Sequence, residues 1–173
     1  MKFNQIHQEN NAAAQLVYQS YSATFPPDER RNFQQFQNLF RTPEAKVFST
    51  EIAGCTTGYV IVWELSGFCF LEHFEIFEKY RGKKIGSMVL EALLAQYPTI
   101  LLETEPADLG ETANRRVRFY LENGFSILDK NYMQPPYDEG KNTLNLWLMS
   151  NNTLADSAFC TQEIHRKVYG FGF

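Results

Sequence analysis

The chain has 173 residues, 44% of them apolar and 15% aromatic, enough to bury one core and short for two domains. Sixteen basic against 20 acidic residues give a net charge of −4, which leaves no surplus to neutralise nucleic acid or an anionic membrane surface. Cys55, Cys69 and Cys160 are too few and too widely spread for a disulfide framework or a zinc site, no stretch approaches the roughly 20 apolar residues of a membrane span, and Met1–Asn11 lacks an apolar leader, so a cytoplasmic protein without a metal is expected.

Phe3–Ile6 reads as a first strand, followed by a helix with Ala13, Leu16, Val17 and Tyr21 on one face. Phe25-Pro26-Pro27-Asp28 breaks that pattern, and Phe33, Phe36 and Phe40 mark a second helix closed by Pro43. From Lys46 the period changes to two. Phe48 and Ile52, then Tyr59, Ile61, Trp63 and Leu65, then Phe68, Phe70, Phe74 and Ile76 give three strands. Gly54 and Ser66-Gly67 supply the short turns between them, so the three form an antiparallel meander.

After Arg81-Gly82 the helical period returns, with Ile85, Met88, Val89, Ala92 and Leu93 in one stripe that ends at Tyr97-Pro98. The strand Thr99–Glu103 follows that helix and can therefore lie parallel to the preceding strand. Glu111 or Thr112 would cap a further helix running to Asn123, with Gly124 in the left-handed position. Phe125–Leu128 and Thr143–Leu148 read as closing strands, and Asn151–Phe173 has some helical character and an aromatic end.

The stretch Phe70–Ile76, then Glu78-Lys79-Tyr80-Arg81-Gly82-Lys83-Lys84-Ile85-Gly86-Ser87, places a strand, a glycine-containing turn and a helix N-terminus in succession. Unpaired amides and the helix dipole favour an anion there, and a pyrophosphate fits. The spacing is neither the Walker pattern nor the dinucleotide pattern. Arg81-Gly82-Lys83-Lys84-Ile85-Gly86 resembles the acetyl-CoA pyrophosphate loop of the GNAT superfamily of N-acetyltransferases, and Asn114-Arg115-Arg116-Val117-Arg118-Phe119-Tyr120-Leu121-Glu122-Asn123-Gly124-Phe125 resembles its second signature. The resemblance spans about Lys46 to Leu148 and departs from the family pattern where Lys84 occupies the inner glycine.

The resemblance implies an α/β fold: a mixed, mostly antiparallel sheet with one parallel step between the fourth and fifth strands and helices on both faces. It implies one acetyltransferase domain over 1–173, with acceptor-side helices in 1–44, an acetyl-CoA core in 45–150 and a partly helical tail in 151–173. The backbone of Phe74, Glu75 and Ile76 would hold the pantetheine arm, with an amide near Glu75 or Ile76 polarising the thioester carbonyl. Arg81, Gly82, Lys83, Lys84, Ile85, Gly86 and Ser87 would hold the pyrophosphate, and Asn114 is either a pantetheine ligand or a solvated residue of its helix. Tyr120 stands at the family position of the acid that reprotonates the coenzyme A thiolate.

A primary amine is mostly protonated at neutral pH, so the reaction also needs a base. The strand Leu71–Ile76 resembles that of polyamine-type members, and Glu72 is the candidate. By alternation it shares a face with Phe70 and Phe74, where apolar surroundings would raise its pKa, while His73 points the other way. The loops Phe25–Arg31 and Tyr132–Glu139 would form the acceptor site, with Asp28, Glu29, Asp138 and Glu139 drawing a cation and Tyr132 and Tyr137 packing against it. The expectation is transfer of an acetyl group to the primary amine of a small molecule by a monomer or homodimer. Acetylation of a peptide N-terminus or lysine, an acetyl-CoA-binding regulatory domain without turnover, and an interaction module using the tail Tyr169–Phe173 remain open at this level.

Overall fold

A computed structural model describes residues 1–7, 11–153 and 155–171. Seven strands, β1 (Lys2–Gln5), β2 (Ala45–Ile52), β3 (Cys55–Leu65), β4 (Phe68–Ile76), β5 (Ile100–Thr104), β6 (Ser126–Gln134) and β7 (Leu144–Ser150), form one sheet in the order β1-β2-β3-β4-β5-β7-β6. Every neighbouring pair is antiparallel except β4 and β5, as the intervening helix requires. The meander turns form at Gly54 and Gly67, both with positive φ.

Among the described residues five α-helices cover the two faces: α1 (Asn11–Thr24), α2 (Phe33–Leu39), α3 (Ile85–Gln96), α4 (Glu111–Glu122) and α5 (Ser157–Lys167). Val17 and Tyr21 of α1, Phe36 and Leu39 of α2 and Ile164 of α5 pack with Val47, Ile61, Phe70, Leu101 and Leu148 on one face. Ile85, Val89, Leu90 and Leu93 of α3 and Tyr120 of α4 pack with Val60, Val62, Leu71, Leu102 and Met149 on the other. β3 lies inside the sheet and is buried continuously from Thr57 to Trp63. Leu16 and Met88, expected in the apolar stripes, are exposed instead.

Local chemistry sets the helix ends. Asn32 and Gln35 make a reciprocal capping box at the start of α2, and Asp156 caps α5 through the amides of Ala158 and Phe159. α4 starts behind Gly110 without a side-chain cap, so neither Glu111 nor Thr112 plays the expected capping part. The tail is ordered as α5 and the turn after it, and of its expected aromatic end Gly172 and Phe173 lie outside the described residues.

Candidate active site

β4 and β5 pair only at Cys69 with Ile100, Phe70 with Leu101 and Leu71 with Leu102, and beyond that point they part. The cause is local to β4. The β3 register runs Ile61 to His73 and Val62 to Leu71, so Glu72 is an extra residue, a bulge that turns the strand away from its parallel neighbour. The backbone of Phe74–Ile76 bonds to β3 on one edge and has no strand on the other. A cleft of about 690 Å³ opens there, lined by β4 from Leu71 to Ile76, the turn into α3, the end of β5 at Glu103 and Thr104 with Glu105 beyond it, and α4.

The turn into α3 is built as an anion cradle. Gly82 has φ +74° and Lys84 φ +59°, both left-handed. The first bond of α3 runs from the Met88 amide to the Lys84 carbonyl, which leaves the amides of Ile85, Gly86 and Ser87 without partners in the helix. Lys84 thus takes up the backbone shape a glycine would take, at the cost an L-residue bears there, roughly 1 kcal/mol. Gly86 has a different reason to be glycine. A Cβ there would stand 3.0 Å from the Phe119 ring, so the missing side chain lets α3 close on α4.

The expected cofactor residues divide. Phe74, Glu75, Ile76, Arg81, Gly82, Lys84, Ile85, Gly86, Ser87 and Tyr120 line the cleft. Lys83 folds back to the Lys79 carbonyl at 3.3 Å, and Asn114 is exposed outside the lining, where Thr112, Arg115 and Arg116 stand instead. Of the two readings of Asn114, its place in the helical period gives the solvated one in this structure. The Arg81 guanidinium binds the end of β4, donating to the Ile76 carbonyl at 2.8 Å. Glu75 is held by Ser20 at 3.1 Å and Thr24 at 2.9 Å, which ties α1 to the parted strand.

Tyr120 is buried against Phe119 and Phe125, and burial pushes its phenol up to about 12, with Arg116 acting the other way. It therefore keeps its proton at neutral pH. No partner in the described residues takes its hydroxyl, which leaves the proton available to a ligand.

Glu72 departs from expectation. The bulge places Glu72 and His73 on the same side, facing α1 and α2, and moves Phe74 to the opposite face from Phe70. The carboxylate accepts from Arg31 Nε at 3.0 Å, Tyr137 at 2.9 Å and Trp63 Nε1 at 2.7 Å. Burial alone would raise its pKa, but the Arg31 charge, followed by His73 and these hydrogen bonds, brings it below the ordinary carboxylate range. A carboxylate so neutralised is a poor proton acceptor. Arg31 is itself fixed between Trp63 and Tyr137 and donates to the Val168 carbonyl at 2.8 Å, so the group is an anchor joining the segment between α1 and α2, β4 and the tail. His73 lies beside Tyr21 at 3.2 Å and Tyr137 at 3.3 Å, and burial pushes it down to about 4.

A second carboxylate takes the place left open. Glu103 on β5 accepts from Tyr132 of β6 and, at 2.7 Å, from Tyr169 of the tail. Burial pushes its pKa up to about 7 despite both phenols, and the Glu72 charge adds to the rise. It lines the cleft together with Glu29, Glu105, Gln134 and Tyr137, whereas Asp28 is tied to Asn142, Asp138 to Lys141 and Glu139 is exposed. Arg81 and Lys84 stand at the α3 turn, and Glu29, Glu103 and Glu105 line the cleft with Arg116, which pairs with Glu105. Sequence reasoning missed Glu103 because a lone acid in the apolar run Ile100-Leu101-Leu102-Glu103-Thr104 looks like a strand end; its presence inside that run was the available signal.

Comparison with known proteins agrees with this geometry. The model of the acetyltransferase (GNAT) family matches residues 10–125. A chain assigned to that family from Bacteroides thetaiotaomicron has the same fold at a TM-score of 0.93 and 27% identity, over 99% of this chain and 100% of that one. The ribosomal-protein-S18-alanine N-acetyltransferase of Escherichia coli matches at a TM-score of 0.61 and 15% identity, over 86% and 91% of the two chains. An aminoglycoside 6'-N-acetyltransferase complexed with coenzyme A matches at 0.62 and 14%, over 90% and 99%. The last two show the fold alone, and no curated protein matches by sequence. With the family model covering most of the chain, and with a parted β4–β5 pair beside a left-handed anion turn, this protein belongs to the acetyltransferase (GNAT) family.

Proposed function

We propose that the protein transfers the acetyl group of acetyl-CoA to the primary amine of a small molecule, both substrates being bound at once. The observation that carries this reading is a single cleft with an amide cradle and basic residues at one end, buried acids at the other, and Tyr120 lining it. Acetyl-CoA supplies the activated acyl group. The amides of Ile85, Gly86 and Ser87 hold its phosphates, and the unpaired edge of Phe74–Ile76 receives an extended amide chain as a further strand would.

Two proton steps fall to side chains. Glu103, with a pKa of about 7, removes the ammonium proton of the acceptor, and the freed amine forms its bond to the carbonyl carbon as the carbon–sulfur bond breaks. Tyr120, with a pKa of about 12, gives its proton to the departing sulfur, and the second proton, lost by the nitrogen as the amide forms, restores the phenol. Glu72 and Arg31 position the acceptor wall instead of exchanging protons.

The test is release of free thiol from acetyl-CoA in the presence of amines. Tyr120→Phe is expected to lower kcat by about 10²-fold with the Kd for acetyl-CoA unchanged, since the phenyl ring keeps the packing and loses only the proton. Equal turnover by the variant removes the acid role from Tyr120.

A further inference from the structure

The acceptor end of the cleft holds a donor that the protein leaves unanswered. Gln134 is 3% exposed and lines the cleft, yet its Nε2 has no hydrogen-bond partner among the described residues. A buried amide N–H without an acceptor is costly, so a group held in this way is matched by something that enters. β6 runs parallel to β5, since each is antiparallel to β7. By alternation Gln134 shares the face of Tyr132, whose phenol reaches Glu103, and lies two residues farther toward the end where the cleft opens.

The surroundings restrict what can meet that nitrogen. Glu29, Glu103 and Glu105 line the same end, and Arg116 is paired to Glu105 at 2.9 Å. The charge of Glu105 raises the pKa of Glu29, after burial, so the two acids already repel one another. A carboxylate or phosphate on the acceptor would add to that repulsion. A polyamine would satisfy the acids but brings donors only, and would leave the Gln134 nitrogen unpaired. A hydroxyl accepts from Nε2 and donates to a neighbouring carboxylate, and it answers the terminal amide in either orientation.

Resting on the acetyl transfer argued above, we infer that the acceptor is a hydroxylated amine, an amino alcohol or amino sugar, whose hydroxyl is held by Gln134 at the outer end of the cleft while its amine lies at Glu103. Gln134 is then a specificity residue, acting on the part of the acceptor that does not react.

The experiment compares 5-amino-1-pentanol with hexylamine and cadaverine, which match it in length, and adds glucosamine and a short peptide amide. Two readouts are taken, kcat/KM by thiol release and calorimetric Kd for each amine in the presence of coenzyme A. The expected result is at least a tenfold preference for the hydroxylated amines in both. Gln134→Met, of similar volume, should bring that preference to within twofold while leaving the Kd of acetyl-CoA unchanged. Hexylamine, cadaverine or the peptide amide used as well as the amino alcohols overturns the inference and leaves acetyl transfer standing, as does a preference that survives in Gln134→Met. Acetyl-CoA binding without turnover of any amine overturns both readings.

Discussion

The two faces of the sheet reach their chemistry by different routes. On the α3–α4 face the cradle is a matter of backbone: Gly82 and Lys84 in left-handed conformations, a glycine at Gly86 that lets Phe119 close, and the free amides of one helix start. All of it lies within a few residues of chain or two adjacent helices. On the α1–α2–α5 face the working parts are side chains drawn from the whole sequence. Arg31 meets Glu72 and the carbonyl of Val168, and Glu103 meets Tyr132 and Tyr169. The anion cradle is thus built from local backbone geometry, whereas the carboxylate end of the cleft is assembled by tertiary contacts.

The comparison is broken most sharply at Arg31. Arg31→Ala should cost about 3–5 kcal/mol of stability in urea denaturation, because it leaves the Glu72 carboxylate buried without its cation. A loss below about 1 kcal/mol would mean that the acceptor wall does not depend on this pair.

Glu103→Gln separates function from stability. Activity through this group should rise with pH through about 7, as the carboxyl loses its proton, and the variant should lose that limb and about 10²-fold in kcat. Stability runs the other way. The folded state holds the Glu103 proton more tightly than the unfolded chain, so its contribution falls as pH rises from the ordinary 4.5 through about 7. The variant should therefore melt higher than the parent at pH 8 and show no such advantage at pH 4. A pH profile flat through 7 in the parent rules out Glu103 as the base.

The smallest effect is expected on the donor face. Lys84→Gly should change stability by less than about 0.5 kcal/mol, since relief of the left-handed strain is offset by the added freedom of the unfolded chain. Lys84→Val, with a branched side chain at φ +59°, should cost about 1–3 kcal/mol and weaken acetyl-CoA binding, as thermal melts and calorimetry would report. Equal behaviour of the two variants would show that the conformation of this residue is not what shapes the cradle.

How much was legible in the sequence follows from the same contrast. Period and turn chemistry located the meander, the parallel step and the α3 turn, because each is encoded by neighbours a few residues apart. The bulge at Glu72 was not legible: alternation from Phe70 carries no mark of an extra residue, and a slip of one reverses every side chain beyond it. The same slip placed His73 and Phe74 on the wrong faces, whereas Glu72 keeps the face of Phe70 and meets Arg31, Tyr137 and Trp63 there. Arg31, Tyr137 and Tyr169 carry no local mark of the carboxylates they meet, and acquire those partners only when folding brings them to β4 and β5.

The measurement that bears most directly on the account is a calorimetric titration of the protein with acetyl-CoA, followed in the same cell by an amine and detection of free thiol. The account predicts one saturable site per chain and thiol release that requires the amine. Absence of binding, or binding with no release for any amine offered, would contradict it.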